Sequence, residues 1–381
     1  MKRFLICLTV VFVALAFVNC KTGGEGSSAL PGGKFNLHDL FDKFGKGKGK
    51  DKCTEVAEGG DIDTEYRHWG TQDPRSWLPR ELPDARITYK NSNFLYSDQQ
   101  THYADIRIPK NDKLRTAAGY PVMVVIHGGA WRSQTTLDRL SPLAEALTDF
   151  GIASWNIEFS KLGNTEGPPN FTQHGGYPGS FLDVGEAVDY LRTIAPEYNL
   201  DLSRVIILGH SSGGQLALWA ASRHKIDPSS PLYVADPLPI KGVVSLAGIA
   251  DMEYALNVGN RVDILTYLAV ASNTDAALLF PSTSPYQMLP NGVRTSHLVG
   301  TDDNQWRIDA IHNYVNQVIT LGGEAHATDL EGASEIDVLD PCSPAWPTLV
   351  REVFWVLGEQ PPCGSLNKSK FCPVNGIPPL P

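Results

Sequence analysis

The chain has 381 residues, a length that suits one large domain or two ordinary ones. Hydrophobic residues make up 42% of the sequence and charged residues 19%, which is enough apolar material for a sizeable core and argues against wholesale disorder. The formal net charge is -10. Nucleic acids and anionic membranes select clustered positive charge, so this composition argues against either as the main partner.

The first 20 residues are typical of a secretory signal peptide. Lys2 and Arg3 form a positive segment, and an apolar run from Phe4 to Val18 follows that is too short to span a bilayer. We expect cleavage near Cys20, a secreted extracellular protein, and no integral membrane association. A bacterial lipobox ending at Cys20 is the alternative.

Four cysteines remain beyond this segment: Cys53, Cys342, Cys363 and Cys372. An even number of cysteines in an exported chain predicts two disulfides, for which three pairings exist. We favour a local Cys363–Cys372 bond, which leaves Cys53 to pair with Cys342, and free thiols are the alternative. No histidine stands at ligand spacing from these cysteines, so we expect no metal there.

Composition divides the rest of the chain. Residues 21–60 are rich in glycine, serine and lysine and predict a flexible linker, with an anchor for an acidic surface as the alternative. Residues 61–360 form the predicted folded domain, and residues 361–381 a Cys/Pro-rich tail. Asn170 and Asn367 each begin a glycosylation sequon.

From about residue 84, short apolar runs alternate with helical patterns. Runs such as Val122–Ile126 and Val205–Leu208 are continuously aliphatic, as in parallel strands buried on both faces. The alternation predicts one doubly wound α/β domain with helices on both faces of the sheet. The predicted strands are Ala85–Tyr89, Tyr103–Ile108, Pro121–His127, Ile152–Glu158, Arg204–Gly209, Ile240–Leu246, His297–Gly300 and Ala325–Leu330. The predicted helices are Leu137–Phe150, Ser180–Ile194, Gln215–Arg223, Ile308–Leu321 and Trp346–Leu357.

The strongest motif is the G-H-S-S-G-G run from Gly209 to Gly214, which follows an aliphatic strand and opens a helix. In this context the pattern indicates a nucleophile elbow, a sharp turn that carries a serine at the edge of the sheet. We therefore predict Ser211 as the nucleophile. The N–H of Ser212, at the start of the helix, would face a developing oxyanion.

A second glycine motif, His127-Gly128-Gly129-Ala130-Trp131, directly follows the strand at 121–127. Its glycines allow backbone N–H groups to approach a substrate oxygen, so we predict an oxyanion hole formed by Gly128, Gly129 and Ser212. We expect His127 to hold the loop by hydrogen bonds. Trp131 either lines an acyl pocket or packs in the core.

These two motifs resemble the esterase/lipase and kynurenine-formamidase-like branch of the α/β-hydrolase superfamily, over about residues 100–357. The resemblance implies an α/β-hydrolase fold with a mostly parallel eight-stranded sheet, a small-molecule acyl substrate and no cofactor. Residues 160–180 and 251–292 would border the substrate site.

In this branch a G-T-x-D pattern supplies the acid of the catalytic triad. Residues 300–303 match it and point to Asp303, with Asp302 as the neighbouring alternative. The role of the acid would be to orient a histidine and stabilise its charged form. Alternatively, both carboxylates only cap the helix that begins near Gln305.

The branch then expects a catalytic histidine in a G-A-G-H-F-D-L-I-D-P pattern, and residues 332–341 place Glu335 at that position. A glutamate of ordinary pKa is a poor base for a serine hydroxyl. His174, in the long loop after the fourth strand, is the alternative base. If Glu335 itself acts, we expect the nearby Asp303 to raise its pKa and activity to be greatest at mildly acidic pH.

Two functions therefore stay open from the sequence. The first is a secreted serine hydrolase of carboxylesterase type, acting on carboxylic esters or related acyl compounds. The second is a catalytically impaired homologue that binds an extracellular ligand or matrix, for which the missing histidine is the main argument.

Overall fold

The computed structural model describes residues 81–89, 102–163 and 175–361. The chain divides into two units, Met1–Thr54 and Glu55–Pro381, and all described residues belong to the second. The predicted signal peptide, the linker and the C-terminal tail lie outside the described residues. So do Cys53, Cys363, Cys372, His174 and the sequon residues Asn170 and Asn367.

Eight strands form one sheet in the order β1-β2-β4-β3-β5-β6-β7-β8. The first two strands pair antiparallel with their neighbours, and the pairs from β4 to β8 are parallel. This confirms the predicted mostly parallel α/β-hydrolase sheet. The strands are β1 (Ala85–Thr88), β2 (Tyr103–Arg107), β3 (Tyr120–Ile126), β4 (Ala153–Ile157), β5 (Leu200–His210), β6 (Gly242–Leu246), β7 (Arg294–Gly300) and β8 (Ala325–Leu330).

Helices cover both faces of this sheet, because the central strands are apolar on each side. Every residue of β3 is buried, and two separate apolar clusters pack against the opposite faces. The helices are α1 (Ser141–Thr148), α2 (Gly179–Asp189), α3 (Leu191–Tyr198), α4 (Ser212–Ala221), α5 (Met252–Asn257), α6 (Asp263–Tyr267), α7 (Asn273–Thr283), α8 (Gln305–Thr320) and α9 (Trp346–Leu357).

The parallel strands place their carboxyl ends at one edge of the sheet, where ligands bind in open α/β folds. The segments that follow β3, β5, β7 and β8 at this edge contain, respectively, Gly128, Ser211, Asp303 and Glu335. Among the described residues, no helix is long and apolar enough to cross a membrane.

Candidate active site

The turn between β5 and α4 has the geometry of a nucleophile elbow. Ser211 adopts φ 52° and ψ -119°, a backbone conformation that costs a non-glycine residue about 1–3 kcal/mol. A side chain on Gly209 would lie 2.2 Å from the Gly213 carbonyl oxygen, and one on Gly213 would lie 2.3 Å from the Ile126 carbonyl oxygen. Both glycines are therefore required for the chain to turn tightly enough to present Ser211.

The glycine loop after β3 lies directly against this elbow. A Cβ on Gly128 would come within 3.0 Å of the Ser211 Cβ, and a Cβ on Gly129, at φ +117°, would come within 2.4 Å of Thr135 Oγ1. In the described ranges, no backbone carbonyl accepts the N–H of Gly128, Gly129 or Ser212. The structure thus brings the three predicted oxyanion donors next to Ser211 and leaves them available for a ligand oxygen.

His127 supports the loop by hydrogen bonds, as expected. Its ring contacts the Gly128 carbonyl oxygen at 2.7 Å and Glu158 Oε1 at 2.9 Å. Glu158 also accepts from Lys161 Nζ at 2.5 Å and from the Leu137 N–H at 3.1 Å. Burial alone would raise the pKa of Glu158, but His127 and Lys161 outweigh it and lower that pKa to about 2. The loop is therefore tied to a buried carboxylate that stays ionised.

Trp131, the last residue of this motif, is packed rather than open to a ligand. It is 1% exposed, stacks on Tyr267 with ring centroids 4.3 Å apart, and donates from Nε1 to Gln215 Oε1 at 3.1 Å. Its backbone N–H donates to Ser212 Oγ at 3.3 Å. Of the two predicted roles, packing is the one seen. These contacts fasten the oxyanion loop to α4.

Glu335 is the carboxylate next to Ser211. The Glu335 carboxylate lies close enough to the Ser211 hydroxyl for that hydroxyl to lower the pKa of the carboxylate, and the side chain of Glu335 is 31% exposed. The His210 ring lies 3.0 Å, through Nε2, from the backbone carbonyl oxygen of Glu335, so this nitrogen carries the hydrogen. That contact joins the elbow to the loop after β8 and helps to hold the Glu335 carboxylate at Ser211.

Arg307, on the first turn of α8, separates Asp303 from Glu335. Its Nη1 lies 2.5 and 2.7 Å from the two carboxylate oxygens of Asp303 and 3.0 Å from Glu335 Oε2. The side chain of Asp303 is completely buried and also accepts the N–H of Asn304 at 2.6 Å, whereas Asp302 is exposed. The Arg307 guanidinium thus links the carboxylates of Asp303 and Glu335.

The expectation that Asp303 raises the pKa of Glu335 is wrong. Burial alone would raise this pKa, but Arg307, His210 and the Ser211 hydroxyl together lower it below the ordinary glutamate value. Asp303 cannot act as the close anionic neighbour because Arg307 stands between the two carboxylates and neutralises one of them. The predicted preference for mildly acidic pH loses its physical basis.

Neither Arg307 nor the hydrogen bond from His210 was predicted from the sequence. One signal was available for the first, because Asp303 and Arg307 are four residues apart on the approach to a helix, a spacing that places opposite charges together. No comparable signal marked His210.

Cys342 is 2% exposed; its predicted partner Cys53 and the cysteines of the other bond lie outside the described residues, so the pairing stays a prediction.

Comparisons with known proteins agree with this geometry. The family model described as BD-FAE matches residues 104–289, a range that includes the oxyanion loop and the elbow and ends before Asp303 and Glu335. Esterase LipQ of Mycobacterium tuberculosis (strain ATCC 25618 / H37Rv) is 25% identical over 167 residues, which cover 43% of this chain and 37% of LipQ. The chain therefore spans well under half the length of this curated relative.

Solved structures extend the likeness to most of the fold. A truncated carbohydrate esterase from gut microbiota superposes with a TM-score of 0.57 at 19% identity, covering 74% of this chain and 100% of that one. An acetyl ester-xyloside bifunctional hydrolase from Caldicellulosiruptor lactoaceticus has a TM-score of 0.52 at 15% identity, covering 74% and 96%.

Strand order, elbow and oxyanion loop together define an α/β hydrolase. The chain therefore has the α/β-hydrolase fold that its motifs indicated, and the proteins it is similar to in sequence and structure include esterases.

Proposed function

We propose that the protein is a carboxylesterase-type serine hydrolase in which Ser211 is the nucleophile and Glu335 the base. The observation that carries this proposal is that the Glu335 carboxylate and the glycine loop after β3 both lie next to Ser211, and no backbone carbonyl among the described residues accepts the N–H groups of that loop. An esterase needs these three parts at one point: a nucleophile, a proton acceptor and donors for the oxyanion.

The reaction would follow two steps. Ser211 Oγ attacks the ester carbonyl carbon while its proton passes to Glu335, and the oxyanion accepts hydrogen bonds from Gly128, Gly129 and Ser212. Collapse of the tetrahedral intermediate breaks the ester bond, and the leaving alcohol takes the proton from Glu335. A water molecule, deprotonated by Glu335, then attacks the acyl carbon, and cleavage of the bond to Ser211 Oγ releases the carboxylic acid while Oγ takes the proton back from Glu335.

Glu335 limits the rate of both steps. A carboxylate whose pKa lies below the ordinary value has little tendency to take a proton from a serine hydroxyl. Loss of the usual triad base typically lowers turnover by several orders of magnitude, while the oxyanion hole and binding retain about 10³- to 10⁴-fold over water. We expect a slow enzyme whose rate changes little with pH until Glu335 becomes protonated.

Activity is favoured over a purely binding role by the intact site. The strained Ser211 backbone, the two clash-limited glycines of the elbow and the tightly packed oxyanion loop each impose a structural cost. A site used only for binding does not need a serine in that conformation. The names of the similar proteins point to esters of small molecules, and we propose substrates of that class.

Covalent labelling tests this proposal. The full chain is incubated with a fluorophosphonate probe and the modified residue is located by peptide mass spectrometry, with Ser211→Ala as the matched control. We expect a single probe adduct on Ser211 and none in the variant. An unlabelled protein, or a label that persists in Ser211→Ala, would overturn the proposal.

We further propose that the protein is exported, with its cysteines paired as predicted and its sequons glycosylated. The apolar N-terminal run, the even cysteine count and the two sequons support this. Peptide mapping of the purified mature protein without reduction checks all three features. A mature chain that retains residues 1–18 and free thiols would contradict the proposal.

A further inference from the structure

We propose that Arg307 is a positioning residue that restrains catalysis: its Nη1 bridges Asp303 and Glu335, so it holds the base in an ion pair and slows proton transfer from Ser211. This inference rests on the proposed function, because it concerns the same site. It explains what the guanidinium does at a place where the resemblance leads one to expect a direct contact between acid and base.

The geometry shows that one nitrogen does the bridging. All three ion-pair contacts of Arg307, two to Asp303 and one to Glu335, are made by Nη1, at 2.5 to 3.0 Å. Meanwhile Arg307 Nε is buried and has no hydrogen-bond partner among the described residues. An unsatisfied buried donor is a destabilising feature. Arg307 therefore leaves one of its own donors unsatisfied while it contacts both carboxylates through Nη1.

Arg307 also contacts the aromatic ring of Trp306. Its guanidinium lies 5.1 Å from the centre of the Trp306 ring, and Arg261 lies 5.7 Å from the same ring. Arg261 is itself paired with Asp263 at 2.6 Å, and a Cβ on Gly259 would lie 2.7 Å from the Trp306 ring. The segment between α5 and α6 therefore packs tightly against Trp306, and a rotation of Arg307 away from the carboxylates would disturb this packing.

The backbone of Glu335 has supports that do not involve Arg307. His210 contacts its carbonyl oxygen, and in the same loop Asp337 accepts the N–H and the hydroxyl of Ser334 at 2.8 and 2.6 Å. Removing the Arg307 charge should therefore leave Glu335 beside Ser211. The change then acts mainly on the ionisation of the carboxylate, since burial would no longer be opposed by a cation.

The charged and titratable groups around Glu335 are few. Arg307 and Asp303 face it from α8 and the loop before it, His210 from the elbow, and Arg139 acts on His210 from the 3-10 turn Leu137–Leu140. Asp337 lies in its own loop. Burial lowers the pKa of His210 to about 4, so this ring is neutral near neutral pH and Arg307 is the closest fixed cation.

The test replaces the buried pair together, because Asp303 without Arg307 would be an unpaired buried charge. The double variant Asp303→Asn/Arg307→Gln is compared with Arg307→Lys, which keeps the charge, and with Arg192→Gln, which removes an arginine that binds Asp236 at the surface. The first readout is the pH profile of kcat/KM for p-nitrophenyl acetate. We expect the apparent pKa of the acid limb to be about one pH unit higher in the double variant. Its rate at neutral pH should be about threefold higher, which corresponds to a Brønsted coefficient of about 0.5. Arg307→Lys and Arg192→Gln should keep the wild-type limb.

A second readout does not need activity. The free energy of unfolding is measured against pH with and without Glu335→Gln, in both the wild-type and the double-variant background. In the wild type the pKa of Glu335 is lowered in the folded protein, so the stability that Glu335 contributes is lost as pH falls. In the double variant burial should raise the pKa of Glu335, so its contribution is lost as pH rises instead.

A reversed slope together with a shifted acid limb supports the inference. An unchanged limb and slope in Asp303→Asn/Arg307→Gln would overturn it, even if the wild type is an active esterase. If no form of the protein turns over an ester, the proposed function fails and the restraint on catalysis fails with it. The slope then still shows whether Arg307 holds Glu335 ionised.

Discussion

Glu335→His alone should restore little esterase activity, because Arg307 occupies the place where the acid would support an imidazole. The serine mechanism requires the histidine to become positively charged in the transition state. Arg307 Nη1 lies 3.0 Å from Glu335 Oε2, so a protonated ring at position 335 would have a fixed cation as its neighbour. The same nitrogen holds Asp303, which would otherwise orient the ring.

The size of this effect follows from the charges. Two like charges about 4 Å apart repel by about 4 kcal/mol at an effective dielectric constant of about 20. A transition state raised by that amount is slowed by about 10³-fold. We therefore expect Glu335→His/Arg307→Met to exceed Glu335→His by about 10²- to 10³-fold in kcat/KM, because Asp303 is then released to accept a hydrogen bond from the introduced ring.

The assay is the initial rate of p-nitrophenyl acetate hydrolysis by both variants from about pH 5 to about pH 9, a range that brackets the ordinary histidine pKa. Each variant is also made with Ser211→Ala, so that hydrolysis elsewhere on the protein can be subtracted. Circular dichroism before each assay confirms that both variants are folded. Equal rates for Glu335→His with and without Arg307→Met would refute the reasoning, since they would show that Arg307 does not oppose the imidazolium.

Two further predictions concern the support of the oxyanion loop. Gly129→Ala, whose Cβ would lie 2.4 Å from Thr135 Oγ1, should lower kcat by about 10²-fold. The control is Gly322→Ala, at φ +80° with open space around it, which should lower stability without changing kcat. Steady-state kinetics and melting temperatures of both variants test this prediction. Glu158→Gln should lower the free energy of unfolding at pH 7 by about 3–5 kcal/mol, because it leaves the buried ammonium of Lys161 without its counterion. The folded pKa of Glu158 is depressed to about 2, so its contribution is present above the ordinary value of 4.5 and is lost as pH falls towards 2; urea titrations in which the deficit of the variant does not shrink in acid would contradict this.

The fold could be predicted because its signals are local. The strand β3 is an almost entirely apolar run, and the elbow needs small residues at fixed positions beside Ser211, so the sequence carries both signals directly. The strand boundaries were less certain where polar residues continue a strand. β5 begins at Leu200 rather than Arg204, because Leu200 already pairs with Tyr120 of β3.

The helices show the same limit. The single helix predicted over 180–194 is two helices, α2 and α3, with Tyr190 between them. The predicted helix that begins at Leu137 opens with a 3-10 turn before α1. Hydrophobic spacing reports the buried face of a segment, and that face continues across such breaks. The sequence therefore predicts that these segments are helical, but it does not predict where each helix is interrupted.

The electrostatics of the site could be predicted only in part. Motif spacing put Ser211, Asp303 and Glu335 at one edge of the sheet, where the structure has them. The ionisation of Glu335 depends instead on which charge lies closest in space. That charge is Arg307, whose side chain is positioned by packing on Trp306 and by two carboxylates. A pKa is set by distances of a few ångströms, and sequence spacing does not supply those distances.

The most direct test of the central claim is the hydrolysis rate of p-nitrophenyl acetate at neutral pH for the full chain, Ser211→Ala and Glu335→Gln, measured side by side. Glu335→Gln keeps the size of the side chain and removes its ability to take a proton. We expect slow turnover by the full chain, none above background for Ser211→Ala, and a loss of about 10²-fold or more for Glu335→Gln. A Glu335→Gln variant as active as the unmodified protein would show that Glu335 is not the base, and a Ser211→Ala variant with full activity would show that this site is not where the ester is cleaved.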